Sequence, residues 1–310
     1  MTDAIRRVAF KTVRAADPLP QTAKVILDSE LDVLIYPELG MNGRTYALAA
    51  LRLAPVQCAG WGHPVTSGLP TVDYFLSCGA MEPEDAGAHY VESLVRLPGL
   101  GTRYSKPDVG RTLTRADLGL PEEAHLYLFP HPPHKIHPEN DALLAGILSA
   151  DPEGMLVLCE SVTPEHGPLL RRRLATALEA RGVARDRLRV LPHLPRGSYL
   201  EANRLCDVML DATRWSGGNT TLDALAAGLP VVTRRGRFMR GRQSASMLEI
   251  MGLQELIAGS DEEFVAMALR LGWDRAWRDD VSRRIAETRE RLFGNHAPVM
   301  ALASFLQSLQ

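Results

Sequence analysis

Short apolar runs alternate with stretches of helical period along most of this chain. In the first third the pattern predicts strands over 7–13, 31–36, 55–59, 73–77 and 91–97, with helices over 20–29 and 42–53. A second series predicts strands over 125–129, 155–159, 188–191 and 207–210, and one more before Thr233. Its helices fall over 140–150, 168–181, 198–205, 244–251 and 261–271, with a charged helix from Arg275 onward. Strands apolar along their whole length are buried on both faces, and their alternation with helices means parallel sheets covered on each side.

Residues 98–121 break the pattern with Gly, Pro, Thr and charge, as an interdomain linker does. The expected division is a first α/β domain over 1–112, a second over 113–274 and a C-terminal helical segment over 275–310. The architecture predicted is two Rossmann-like domains facing across a cleft, with ligands at the carboxyl ends of the strands.

The stretch from Leu205 to Thr233 carries the most chemistry. It predicts a buried strand, a glycine-containing loop, a helix opening on small polar residues, a Gly-Leu-Pro turn and another strand. Asn219 or Thr220 is the expected N-cap, and Asp223 is expected in the first turn, where a carboxylate suits the helix dipole. Free backbone amides at such a helix start cradle a phosphate or diphosphate.

Composition narrows the function classes. The chain has 310 residues, 45% hydrophobic and 23% charged, enough for two cores. A formal net charge of −2 points away from nucleic acid and from anionic membranes. Cys58, Cys78, Cys159 and Cys206 form no close pair, so reduced core thiols and a cytoplasmic location are expected. No signal-peptide pattern or membrane-spanning run appears. His131, His134 and His137 recur at spacing three, but Pro132, Pro133 and Pro138 bar the helix that would align them, so no metal is expected.

Three blocks, taken in order, resemble one family. They are Leu53 to Gly68 with Val72-Asp-Tyr-Phe75, then Pro133-His-Lys-Ile-His-Pro138, then the 205–233 stretch with Arg242-Gln-Ser-Ala-Ser246. Together they resemble the Spindly and O-GlcNAc-transferase type of glycosyltransferases over about residues 31–270. Gly62-His-Pro-Val-Thr and Gly218-Asn-Thr also resemble the bacterial cytoplasmic N-glycosyltransferases that modify adhesin asparagines. The resemblance implies an α/β GT-B fold with an acceptor-side domain short at its N-terminus. It also implies an inverting, metal-independent transfer of a sugar, with GlcNAc as the default, to a protein side chain. The donor, UDP-linked by default, is a substrate and no cofactor is implied.

The same resemblance assigns roles. Lys135 is the catalytic candidate beside the departing phosphate, and His63, a second one by its own place just past a predicted strand end, faces the phosphates or the acceptor. Gly218, Asn219, Thr220 and Thr221 form the phosphate cradle, Asp223 meets the ribose, Tyr199 stacks on the base and Arg242 faces the diphosphate. Thr66 and Ser67 line the acceptor side. Relatives also carry more strands ahead of the first domain and a tetratricopeptide superhelix that presents the protein acceptor. No repeat of that kind is visible here, so a partner protein or a missing repeat region is expected. Pro132 stands where the family has glutamine.

Other readings stay open at this level. The chain fits a non-catalytic nucleotide-sugar-binding module or a truncated subunit of a glycosyltransferase complex. Isomerisation or hydrolysis of a nucleotide sugar needs paired acids that the sequence does not display. The remaining arginines of the 234–242 run read as a solvated, mobile loop.

Overall fold

The computed structural model describes residues 2–14, 18–161, 163 and 165–309. The chain forms two compact units, one of residues 1–77, 85–96 and 306–310, the other of 78–84 and 97–305. The boundary therefore lies earlier than the linker at 98–121 predicts, and 275–305 belongs to the second unit instead of forming a separate segment.

In the first unit, helices α1 (Thr2–Val8) and α2 (Leu19–Leu27) precede strand β1 (Val33–Tyr36). Helix α3 (Gly43–Ala49) follows, then β2 (Val56–Gly60), β3 (Tyr74–Cys78) and β4 (Ser93–Leu97). The sheet order is β1-β2-β3-β4, with β1/β2 and β2/β3 parallel. Tyr36, Leu48, Ala59, Val72 and Phe75 form its core.

Two sequence expectations change here. The strand predicted over 7–13 is absent: residues up to Val8 are helical, and Val8 and Phe10 are exposed, so no apolar alternation is buried to reward a strand. The helix predicted to 53 stops at Ala49 because Gln57 captures the next backbone groups. Its Oε1 accepts from Leu53 N at 3.1 Å, and its Nε2 donates to Leu51 O at 3.0 Å.

The second unit opens with β5 (His125–Phe129), α4 (Glu139–Ala150), β6 (Gly154–Cys159), α5 (His166–Glu179) and β7 (Leu188–Leu191). It continues with α6 (Arg196–Leu205), β8 (Val208–Leu210), α7 (Asn219–Ala227), β9 (Val231–Arg234), α8 (Gln243–Met251) and β10 (Ile257–Ala258). Helices α9 (Asp261–Trp273), α10 (Arg275–Thr288) and α11 (Ala297–Gln307) follow. All five strand pairs in the order β10-β9-β8-β5-β6-β7 are parallel.

That order is the doubly wound one, and it reverses between β5 and β8. Connections leave those two neighbours toward opposite faces, which opens a crevice beyond their carboxyl ends. The central strands are apolar because both faces are covered: Leu126 to Phe129 and Val208 to Leu210 are all buried. Among the described residues no helix is long and apolar enough to cross a membrane.

Candidate functional site

Two loops meet at the reversal point of the second sheet. The loop after β5 passes through a single 3-10 turn, Pro133–Lys135. Its two leading prolines fix an extended entry, so the predicted break in helical structure is real. Lys135 is half-buried, and its Nζ stands 5.5 Å from the centroid of the Trp215 ring in the loop after β8. Burial pulls the Lys135 ammonium below its ordinary value.

The second loop, 211–218, hangs on Asp211, which is 2% exposed. Its carboxylate accepts the Ser216 hydroxyl at 2.6 Å, the Gly217 N–H at 2.7 Å and the Thr233 hydroxyl at 2.7 Å. Ser216 Oγ in turn accepts the Ser244 N–H at 2.9 Å, and the Ser244 and Thr221 hydroxyls are 2.7 Å apart. This chain of bonds ties the starts of α7 and α8 to the end of β8. The second loop is also tied to the start of α4, which follows the first loop: Asn140 Oδ1 accepts the Thr213 N–H at 2.9 Å.

His131 belongs to the same network. Its Nε2 lies 3.1 Å from the Ala212 nitrogen, 3.3 Å from the Leu210 carbonyl and 3.5 Å from Asp211 Oδ1. Burial pushes the His131 pKa down against the pull of Asp211. His134 is also lowered, by burial and then by the charges of Lys135 and His166. Among the described residues no three His, Cys, Asp or Glu side chains are grouped to hold a metal.

Helix α7 differs from expectation in two details. Its N-cap is Gly218, with no side-chain cap, and Asn219 is the first helical residue. The predicted cap by Asn219 or Thr220 gives way because the chain enters the helix one residue earlier, at Gly218 with φ −89° and ψ −93°, so both residues already lie inside it. Asp223 therefore lies beyond the first turn, so a dipole partnership does not explain it. Instead it is 4% exposed and receives Arg196 through both guanidinium ends, each at 2.5 Å.

Gly217 is required sterically, and Gly218 sits against the end of the Gln243 side chain. A methyl on Gly217 would come 2.6 Å from Thr220 Oγ1 and closer still to Thr221 Oγ1; one on Gly218 would come 2.6 Å from Gln243 Oε1. At the other end of α7, Gly228 closes the helix at φ +82°, as the Gly-Leu-Pro turn predicts. Tyr199 stands on α6, which packs on α7, and burial pushes its hydroxyl well above the ordinary range.

Arg242 caps α8, with Nε donating to Met81 O at 3.1 Å and a terminal nitrogen to Gly236 O at 3.2 Å. The loop beside it is pinned, not merely solvated. Gly236 N–H donates to Gly241 O at 2.7 Å, and Ser216 N–H donates to Arg240 O at 2.7 Å. Arg234 pairs with Asp261, and Arg235 with Glu249.

His63, Thr66 and Ser67 belong to the first unit, in the loop after β2. His63 packs on the loop after β1 so closely that a methyl on Gly40 would come 2.9 Å from its Cδ2. Gly40 holds φ at +108°, a conformation that favours glycine. Thr66 and Ser67 both turn to the buried Glu92. The Thr66 hydroxyl donates to Oε2 at 2.7 Å, while Oε1 accepts the Ser67 N–H at 2.7 Å and the Ser67 hydroxyl. Those two side chains close a loop on their own carboxylate, which accounts for Ser67 being buried.

The structure thus gathers Lys135, Gly218, Asn219, Thr220, Thr221, Asp223, Tyr199 and Arg242 in the second unit and His63, Thr66 and Ser67 in the first. Sequence reasoning missed Asp211, Ser216, Trp215, Ser244 and Arg196. Asp211 left a signal: a carboxylate directly after an apolar strand, leading into a glycine loop.

Residues 102–299 match the model of glycosyl transferase family 41. Two curated relatives are named probable UDP-N-acetylglucosamine–peptide N-acetylglucosaminyltransferase SPINDLY. The one from Solanum lycopersicum is 29% identical over 267 residues, covering 82% of this chain and 27% of the relative. The one from Arabidopsis thaliana is 30% identical over 259 residues, covering 81% and 27%. The chain therefore spans little more than a quarter of those relatives' length. A solved structure of a mutant O-GlcNAc transferase from Thermobaculum terrenum superposes with a TM-score of 0.82 at 30% identity. It covers 99% of this chain and 58% of that one.

Proposed function

Because the chain belongs to glycosyl transferase family 41 and has the GT-B type of α/β fold, we propose that it transfers a sugar from a nucleotide sugar to a protein side chain. The relatives' names make UDP-GlcNAc the first donor to try. One observation carries the reading: an ammonium after β5 and an open helix start after β8 share the reversal point of one parallel sheet.

In this reading the donor diphosphate sits on the α7 amides, with the Thr220 hydroxyl and the Lys135 ammonium beside it. The acceptor attacks the anomeric carbon while the bond to the diphosphate breaks, and Lys135 stabilises the negative charge that accumulates on the leaving oxygen. Burial of that ammonium strengthens the effect, because it acts in a medium of low polarisability. Asp223 and Arg196 address the ribose, Tyr199 the base, and His63 the acceptor or its proton. Asp223 keeps that capacity with Arg196 bound, since a carboxylate offers about four lone-pair sites. Arg242 holds the α8 start and its loop in place.

Attack opposite the leaving group inverts the anomeric centre, and the charge on the leaving group falls to Lys135 and the amides, without a metal. No cofactor enters the scheme. A cytoplasmic setting fits the free cysteines, with burial pushing Cys58 and Cys78 up to about 11 and Cys159 to about 12.

The test is incubation with UDP-GlcNAc, UDP-glucose or GDP-fucose and a protein acceptor, with and without EDTA, read by intact-mass spectrometry. Transfer that survives EDTA and is lost in Lys135→Ala is expected. Saturable nucleotide binding with no product from any donor would overturn the proposal.

A further inference from the structure

Beside the 211–218 loop, the second unit carries a cavity of about 360 Å³ whose charged lining is arginine apart from Glu139. It opens at the carboxyl end of β9 and is walled by the pinned loop around Phe238. Three of its arginines already have carboxylate partners: Arg214 with Glu139 at 2.6 Å, Arg234 with Asp261 and Arg235 with Glu249. The other two do not. Arg237 and Arg240 stand 5.3 and 4.5 Å from the Phe238 ring centroid, and among the described residues neither has an acidic partner.

Two guanidinium groups held on a ring, with no carboxylate partner among the described residues, leave positive charge open to an anionic ligand. We propose that this cavity binds an acidic segment of polypeptide, taking its Asp or Glu side chains on Arg237 and Arg240 and so selecting acidic acceptors. The proposal rests on the protein-acceptor reading above and adds the class of acceptor to it.

The surroundings favour carboxylates over the donor's phosphates. The diphosphate elements, Lys135 and the α7 start, lie outside the cavity lining. A nucleic-acid strand is disfavoured because Glu139, Glu249 and Asp261 interrupt the basic surface with negative charge. The cavity is nevertheless coupled to the donor loop, since the Arg240 carbonyl receives the Ser216 N–H.

The test uses the full chain and fluorescein-labelled peptides, one rich in Glu and Asp and a matched one with Gln and Asn. Anisotropy titrations without any donor are run at low and physiological salt. The acidic peptide is expected to bind at least about tenfold more tightly, a difference of ~1.4 kcal/mol. The advantage shrinks as salt screens the charges. Arg237→Gln with Arg240→Gln should abolish the preference, and the Lys pair should keep most of it, while the thermal shift produced by UDP stays as in the parent.

Equal binding of both peptides would overturn the proposal, as would an unchanged preference in the Gln pair. Loss of the UDP shift in that pair would also overturn it, because the cavity would then be a donor subsite. The result is separable from the transferase reading. Peptide preference without any glycosylated product would uphold the cavity and sink the enzyme, and transfer with no preference would do the reverse.

Discussion

Lys135 Nζ stands 5.5 Å from the centroid of the Trp215 ring, joining the loop after β5 to the loop after β8. A cation over an indole face is held in place by the ring's quadrupole, worth about 0.5–2 kcal/mol. The ring gives a flexible ammonium one preferred position at the point where the strand order reverses. Lys135→Ala should lower kcat by at least about a hundredfold, as removal of a single charge-stabilising group does. Trp215→Ala should cost about tenfold or less in kcat, since the ammonium survives but wanders. Steady-state kinetics of the two variants checks the order.

Half-burial gives Lys135 a cost to the fold. Its pKa is lowered in the folded chain, so the protonated form is penalised at every pH below the folded value, and the penalty fades as pH rises toward the unfolded value. Lys135→Met relieves that penalty but gives up the Trp215 contact, so it should change stability at pH 7 by less than about 1 kcal/mol while removing transfer. A larger loss of stability in differential scanning calorimetry would contradict this account of the site.

Asp211 should prove the more damaging site for stability. Asp211→Ala strands the Ser216 hydroxyl, the Gly217 N–H and the Thr233 hydroxyl in a buried place. At about 1 kcal/mol or more for each stranded donor, the loss should be about 3 kcal/mol or greater. Urea unfolding measures it, and nucleotide affinity should fall in parallel because the α7 start is held by the same bonds.

Gly217→Ala tests the cradle sterically. The new methyl meets the Thr220 and Thr221 hydroxyls, so the loop must move away from the helix start. A cost of about 1–3 kcal/mol is expected, with UDP binding reduced at least about tenfold. Calorimetric titration decides, and unchanged affinity would remove Gly217 from the site.

Acid sensitivity should track Asp151, far from this loop at the opposite end of β5. Burial pushes its carboxyl up, but bonds from Tyr127 at 2.7 Å and His125 at 2.8 Å, with Trp273, hold it below the usual range. A depressed carboxylate contributes stability above its unfolded pKa of about 3.9 and loses it as pH falls through the folded value. Asp151→Asn should lower stability at pH 7 and flatten the stability profile below about pH 4. Chemical unfolding across that range checks it.

Element type and order in the second unit were readable from the chain because parallel strands buried on both faces announce themselves as unbroken apolar runs. His125–Phe129 and Leu188–Leu191 match the prediction at both ends. The Gly217-Gly218 pair and the closing Gly228 are equally legible, each being a residue type that local geometry demands, whereas Lys135 stands out only through the family resemblance. What the sequence could not show is which side chains spend their bonds on each other. Glu92 claims Thr66 and Ser67 from 25 or more residues away, Arg196 claims Asp223 across 27, and Ser244 meets Thr221 across 23. Only tertiary packing brings such groups within bonding distance, because hydrogen bonds and ion pairs depend on separations in space that no periodicity along the chain records.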